Sequence, residues 1–245
     1  MAAVNSVGET KPTAHLRRSF VYRTLEGLGA RFGEIGGAAV ALDFGDPAAE
    51  LERGLRMGLA DLSPLPRTGF KGAGTAEWLT EQGLAIGPDS NKAYLQPGGE
   101  LALRLAPTEI LLLDSLGGSG GLPGRLNQSW SWGQEKPRRL IGYPMPRADS
   151  HFWFAVTGGQ SAAMFAKICG VDLRPRAFAP GAIAQTSAAK MSVIIARHDQ
   201  GQVPGFYVLA DSASAGYMWN CLIDAMDEFG GGPIGLTTLR RLAGV

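Results

Sequence analysis

The chain has 245 residues, of which 45% are hydrophobic and 18% charged, enough for one large domain or two small ones sharing a core. A formal net charge of +1 excludes the basic excess that nucleic acid or an anionic membrane demands, and no apolar stretch reaches the length of a membrane span. The two cysteines, Cys169 and Cys221, have neither metal-ligand spacing nor a disulfide framework, and read as small hydrophobes on helical stretches.

Residues 1–11 hold no apolar run of the kind a signal peptide needs, so a soluble, cytoplasmic protein is expected. The low charged fraction points to a surface partly covered by another chain. Residues 1–14 are small and polar and are predicted as a disordered leader. Between residues 16 and 28, Phe20, Tyr22 and Leu25 are expected to dock on the body. Residues 38–44 read as a strand ended by Gly45, Asp46 and Pro47. Asp46 suits a helix N-cap and Pro47 the first helical position, where its missing N–H costs nothing. Glu50 and Glu52 favour a helix N-terminus, and Leu51, Leu55 and Leu59 make an i, i+4, i+8 stripe.

A strand over 67–72 and a helix over 75–82, stopped by Gly83, come next. Strands over 92–96, 100–105 and 109–114 are joined by Pro97-Gly98-Gly99 and Ala106-Pro107-Thr108. The first half, 15–114, therefore carries a β-α-β-β-β order from Arg67 onward. The same order returns in a second half, 151–232. A strand over 152–157 leads to a helix over 160–169 stopped by Gly170, then to strands over 182–186, 191–197 and 206–209. A long amphipathic helix over 212–229 follows, with Tyr217, Cys221, Ala225 and Phe229 four apart, and 233–245 is left as a C-terminal tail.

The halves match at two places in the same order. Gly72-Ala73-Gly74-Thr75 lines up with Gly158-Gly159-Gln160-Ser161, each after a strand, with Thr or Ser near a helix start. Residues 109–114 line up with 206–211, both ending in aspartate. The fold class expected is α+β, built from tandem β-α-β-β-β units.

The connecting segment 115–150 has no clear period and is expected to be a loop. Its Trp130 and Trp132 either pack back on the body or meet a partner, and Arg138 and Arg139 lie nearby in the sequence. Gly117 to Gly121 lack the Lys-Ser/Thr of a phosphate loop and the spacing of a dinucleotide fingerprint. They formally spell Gly-x-Ser-x-Gly around Ser119, but Leu122-Pro123-Gly124 argues against the helix that a nucleophile elbow enters. His15, His151 and His198 make no metal-ligand pair, and Asp199 beside His198 reads as surface. Arg174 and Arg176 flank Pro175 on a segment read as extended. They either clamp a carboxylate or a neighbouring subunit, or pair internally with Asp172 or the helix before it.

Three stretches together resemble a known family. Gly58-Leu59-Ala60-Asp61-Leu62-Ser63 resembles a segment early in the folate-binding domain of the aminomethyltransferase (glycine-cleavage T protein) superfamily. Cys169-Gly170-Val171-Asp172-Leu173-Arg174-Pro175-Arg176-Ala177-Phe178, with Gly181 and Ala184-Gln185-Thr186, is similar to the gamma subunit of heterotetrameric sarcosine oxidase. The closing helix through Trp219 and Phe229-Gly230 completes a resemblance over about residues 16–230, and N-methylglutamate dehydrogenase-type complexes fit equally.

The resemblance implies a tandem fold of the aminomethyltransferase folate-binding type, without the C-terminal barrel. It implies an accessory chain with no catalytic, cofactor or metal residues of its own, in a flavin-dependent complex that oxidatively demethylates a secondary N-methyl amine. FAD, FMN, NAD and tetrahydrofolate would sit on other subunits. The partners would be larger flavin-bearing alpha and beta subunits and a small zinc-binding delta subunit, with Trp130, Trp132, Arg138, Arg139, Arg174 and Arg176 as contacts. One departure bears on this: the family follows its Gly-Gly turn with an aspartate pair, whereas Gly98-Gly99 precedes Glu100-Leu101-Ala102-Leu103-Arg104. Lys167-Ile168-Cys169-Gly170 is also not the Lys-Gly-Cys-aromatic motif of the iron–sulfur-assembly relatives. The competing readings are a stand-alone tetrahydrofolate-dependent aminomethyltransferase-like enzyme and an assembly module on the same fold.

Overall fold

The computed structural model describes residues 8–130 and 142–245. Strand β1 (Arg17–Arg18) precedes helix α1 (Tyr22–Gly27), and β2 (Arg31–Ile35) and β3 (Ala38–Asp43) complete a sheet ordered β1-β3-β2. Residues 9–14 lie against this sheet. Glu9 bridges Gly33, the Thr10 N–H donates to the Phe32 carbonyl at 2.8 Å, and Pro12 is buried. The disorder expected over 1–14 therefore fails for this stretch, and residues 1–7 lie outside the described residues. Leu25 docks as expected, but Phe20 stays 40% exposed.

Helix α2 (Pro47–Arg56) starts as the sequence predicts, with the Asp46 carboxylate accepting the Ala48 and Ala49 N–H groups. Its buried face is a correction. The helix ends at Arg56, so Leu59 belongs to the next strand, and Leu55 is exposed while Glu50 and Gly54 face inward. The reason lies far along the chain: a Cβ at Gly54 would come within 2.7 Å of Leu242 Cδ1, so glycine lets the last helix approach.

Strands β4 (Gly58–Asp61) and β5 (Arg67–Lys71) follow, then helix α3 (Thr75–Glu81) and strands β6 (Lys92–Leu95), β7 (Leu101–Ala106) and β8 (Glu109–Leu113). The segment read as a loop contains helix α4 (Gly121–Ser129) and strand β9 (Tyr143–Pro144). Pro123 falls in the first turn of α4, where backbone N–H groups have no intrahelical partner to lose. Strand β10 (His151–Thr157), helix α5 (Ser161–Ile168), strands β11 (Ile183–Ala188), β12 (Met191–Arg197) and β13 (Gly205–Asp211), and helix α6 (Ala215–Asp227) make the second half. The α6 stripe is rotated from expectation: Tyr217 is exposed, and Met218, Trp219, Leu222, Ala225 and Met226 are buried. Residues 233–245 are not a loose tail. Strand β14 (Gly232–Pro233) pairs parallel with β4, and helix α7 (Leu236–Ala243) packs on α2 and β3.

One sheet runs β6-β7-β8-β5-β9 and another β11-β12-β13-β10-β4-β14. The run β5-α3-β6-β7-β8 and the run β10-α5-β11-β12-β13 thus place their four strands in the same spatial order. At both strand-to-helix turns the matched glycines have positive φ, +149° at Gly72 and +111° at Gly158. Their carbonyls accept the N–H of Thr75 and of Ser161, each at 3.1 Å. Thr75 and Ser161 are the first helical residues, with Gly74 and Gln160 at the N-cap positions.

Leu103, Leu111 and Leu113 of one sheet and Trp153, Tyr207 and Leu209 of the other share one buried cluster, so the two sheets pack face to face. Phe152, Phe154 and Val208 turn the other way, onto Phe165 of α5 and Trp219 of α6. Phe70 and Leu112 turn onto Leu79 of α3 and Leu126 of α4. The result is helices, sheet, sheet, helices.

Candidate functional site

One set of buried ionisable groups gathers around the start of β5 and the start of β10. Arg67 opens β5 and is only 3% exposed. Its Nη1 donates to the Ser63 and Leu65 carbonyls at 2.7 and 3.0 Å. Its Nη2 donates to the Ala148 and His151 carbonyls at 2.7 and 2.5 Å, and its Nε to the Arg147 carbonyl at 3.1 Å. Five donors meet five acceptors, which is the full capacity of a guanidinium. Burial pushes its pKa down to about 10, against the pull of Asp61. Asp61, at the end of β4, is raised by burial, while hydrogen bonds from Ser19 and Ser63 and the charge of Arg67 oppose the rise.

A second cluster adjoins it. Glu109, the first residue of β8, pairs with Arg147 and accepts Lys71 Nζ at 2.9 Å. Arg147 Nη1 lies 2.9 Å from His151 Nε2, and Ser150 Oγ lies 2.9 Å from His151 Nδ1. An arginine can only donate, so Nε2 is the acceptor and the proton sits on Nδ1. Burial first, then Arg147 and Arg67, hold the His151 pKa down to about 4, so the ring is neutral at pH 7.

His151 also borders a cavity of about 520 Å³ lined by strands β10 to β13 of one sheet, together with Gln185, Ser192, Ile194, Leu209 and Asp211. Ile194 and Leu209 form an apolar floor, and the next register position is polar, with Ser187 opposite Ser192 and Asp211 opposite His151. Its Gln185 amide and His151 ring are committed to protein partners, whereas Asp211 is exposed and uses one carboxylate oxygen. Asp211 accepts the Ala213 N–H at 2.8 Å, and the Gln185 amide donates to Asn91 and to the Leu105 carbonyl. Both ring nitrogens of His151 are occupied. Among the described residues no three His, Cys, Asp or Glu side chains are grouped to hold a metal.

The structure separates the residues that the sequence singled out. Trp130 is buried, packed edge-on against Trp78 with centroids 4.9 Å apart and against Phe70 at 5.5 Å, so it folds back on the body. Trp132, Arg138 and Arg139 lie outside the described residues. Arg174 takes the internal reading. Its Nε and Nη2 grip the two Asp172 carboxylate oxygens at 2.7 and 2.6 Å, holding that carboxyl down to about 2. Arg176 does not join it. The segment is a turn, with the Ala177 and Phe178 N–H groups both donating to the Arg174 carbonyl, not an extended strand. Ser119 is exposed on the turn into α4, and its hydroxyl accepts the Gly121 N–H at 3.3 Å. A helix does follow, against expectation, but Ser119 lies six positions past Leu113, the end of β8, so it is no strand-to-helix elbow. Cys169 is buried and Cys221 half-buried, both free thiols.

Arg67, Glu109, Arg147 and His151 were not singled out as a group from the sequence. The only local signal was an ionisable residue as the first residue of a strand, at Arg67, Glu109 and His151 alike. Their meeting depends on pairing of β5 with β8 and on the return of the chain at 147–151.

No protein-family model matches this sequence, and no curated protein matches it. Solved structures do. One chain of the heterotetrameric sarcosine oxidase from Corynebacterium sp. U-96, in complex with pyrrole 2-carboxylate, superposes with a TM-score of 0.56 at 22% identity. That match covers 76% of this chain and 93% of that one. The glycine cleavage system aminomethyltransferase T from Bartonella henselae superposes with a TM-score of 0.70 at 19% identity, covering 93% of this chain and 62% of that one. Both proteins to which residues 58–63 and 169–186 pointed are therefore found again in three dimensions. At these identities the likeness is one of architecture: this chain has an α+β fold similar to that of the aminomethyltransferase, shared with a chain of heterotetrameric sarcosine oxidase.

Proposed function

We propose that this chain is an accessory, non-catalytic subunit of a cytoplasmic, flavin-dependent complex of the sarcosine oxidase type, which oxidatively demethylates a secondary N-methyl amine. The observation that carries the reading is the match over 93% of one chain of a heterotetrameric sarcosine oxidase, a protein made of several subunits. The internal commitment of Arg67, Glu109, Arg147, His151 and Arg174 supports it, because groups spent on holding the fold are not offered to a substrate. The matching strand order of the two runs is read as a tandem unit of the aminomethyltransferase folate-binding type. The chain spans 62% of the transferase's length.

In this reading the partners are larger flavin-bearing alpha and beta subunits and a small zinc-binding delta subunit. FAD, FMN, NAD and tetrahydrofolate sit on those chains. The test is purification of the tagged full-length chain from its own cells under native conditions. Larger chains with a flavin absorption spectrum and oxidation of N-methyl amines are expected in fixed stoichiometry. A lone monomer would overturn the reading.

The TM-score of 0.70 to an aminomethyltransferase favours a second reading, a stand-alone tetrahydrofolate-dependent enzyme. Titration calorimetry of the isolated chain with tetrahydrofolate separates the two, since saturable binding and one-carbon transfer by the lone chain belong only to the second.

A further inference from the structure

Residues 16–23 place three arginines within eight positions of a chain whose net charge is only +1. Among the described residues none of Arg17, Arg18 and Arg23 enters an ion pair. Arg17 is held by main chain, its guanidinium donating to the Gly36 and Pro64 carbonyls at 3.3 and 2.8 Å. Arg18 and Arg23 converge on one side chain, lying 5.0 and 5.4 Å from the centroid of the Tyr22 ring. Arg18 Nη1 also donates to the His15 carbonyl at 2.7 Å. Neither a carbonyl nor a ring quadrupole carries net charge, so two like charges stay close without a counter-ion.

Apolar side chains accompany them. Leu16 is fully exposed at 101%, and Phe20 is 40% exposed. Leu16 immediately precedes β1, within two residues of Arg18. Strand β1 has a strand neighbour, β3, on one flank only among the described residues. Unpaired cations beside an exposed leucine and aromatic ring fit a surface that another protein covers, and the sign of the charge selects an acidic one.

We propose that β1 and the start of α1 dock an acidic segment of a partner subunit, whose carboxylates meet Arg18 and Arg23 and whose apolar side chains cover Leu16 and Phe20. The inference rests on the accessory-subunit reading and adds where and by what chemistry this chain is held.

The test uses the tagged full-length chain in its native complex, compared with R18E/R23E and R18Q/R23Q. Both side chains are exposed and lose only surface contacts with the Tyr22 ring and the His15 carbonyl, so both variants should stay folded and melt within a few degrees of the wild type. Affinity for the remaining subunits is expected to fall at least tenfold with R18E/R23E and less with R18Q/R23Q. Wild-type affinity should weaken as salt rises. A benzophenone photocrosslinker at Phe20 of the otherwise wild-type chain gives an independent readout, expected to mark an acidic partner segment by mass spectrometry. Unchanged affinity in both variants overturns the inference while leaving the accessory reading intact. So does a crosslink to residues 1–7 or 131–141 of this chain, to a second copy, or to a partner segment without acids. A wild-type chain that assembles with nothing overturns both.

Discussion

The carboxylate of Glu50 accepts the N–H of Gly235, 185 residues further on, at 2.7 Å. Glu50 is fully buried on the inner face of α2, its other oxygen takes the Phe44 N–H at 2.6 Å, and Thr238 Oγ1 lies 3.4 Å away. Gly235 is the N-cap residue of α7 and has no side chain to serve that end. A carboxylate from another helix supplies the missing acceptor, with negative charge where the helix dipole is positive.

Glu50→Ala should therefore destabilise the chain by about 3 kcal/mol, since two buried N–H groups lose a charged acceptor at once. Urea unfolding monitored by circular dichroism reads the loss. Hydrogen exchange should show the added opening first in α7 and in the 42–44 segment. A loss under ~0.5 kcal/mol would mean that water replaces the carboxylate at no cost.

Arg67 offers a sharper comparison. Lysine keeps the charge but has three donors on one atom, so it cannot reach carbonyls at Ser63, Leu65, Arg147, Ala148 and His151 together. Arg67→Met should cost about 3 kcal/mol or more, and Arg67→Lys a substantial part of that. Because the five carbonyls come from both sides of the interface, both variants should also expose Trp153. A red shift of tryptophan emission at denaturant concentrations below the main transition would register this.

The contrast between what was legible in the sequence and what was not follows from range. Asp46 and Pro47 announced the start of α2, and glycines at 72, 83, 158 and 170 marked element ends, because caps and turns are decided within a few residues. Strands β5, β7, β8, β10, β12 and β13 stood out by apolar composition and hairpin turns. The buried face of α2 did not. The Leu51–Leu55 stripe is the better local guess, and it loses because α7 arrives from the far end of the chain to pack at Gly54 and bond Glu50. Helix α4 was hidden by Pro123 and the glycines before it, which read as breakers unless they fall in a first turn. The group of Arg67, Glu109, Arg147 and His151 was invisible for the same reason as α7: only strand register brings its members together.

His151 makes stability depend on pH in a definite direction. Its folded pKa of about 4 lies below the 6.5 of an unperturbed histidine, so the unfolded chain binds a proton that the folded chain refuses. This contribution is complete above pH 6.5 and is lost as pH falls from there toward 4. The ring is only half-buried, and discounting for solvent screening leaves about 1–2 kcal/mol over that window. His151→Gln should flatten the slope of unfolding free energy against pH between 4 and 6.5. The His151 imidazole carbons, followed by NMR, should stay in the neutral form down to about pH 5.

Trp130 gives a test of its assignment to the body. Its ring is 7% exposed and meets Trp78 and Phe70 in a cluster that seats α4 on the sheet. Trp130→Ala should lower the stability of the isolated chain by about 3 kcal/mol, the usual cost of emptying a buried aromatic site. A tryptophan serving a partner would instead leave the isolated chain unchanged and weaken assembly alone.

The β11–β12 hairpin is strained where it turns. Ala189 and Lys190 both have positive φ, +48° and +64°, in a two-residue connection between Ala188 and Met191. That conformation is the type I′ turn, which Asn-Gly adopts readily and which costs an ordinary L-residue about 1 kcal/mol or more per position. The surroundings hold it in place. The Ala189 N–H donates to the Ile168 carbonyl at 2.8 Å, and the Tyr217 hydroxyl donates to the Ala189 carbonyl at 3.0 Å. Neither contact uses the side chain of Ala189 or Lys190, so A189N/K190G keeps both. The double variant should gain about 1 kcal/mol, less than the summed strain because glycine also loosens the unfolded chain. Tyr217→Phe in the wild-type background removes one restraint on the strained turn and should destabilise it. In A189N/K190G the same change should cost less, because the turn no longer needs holding. Equal costs of Tyr217→Phe in the two backgrounds would show that the hydroxyl does not hold the turn against its strain.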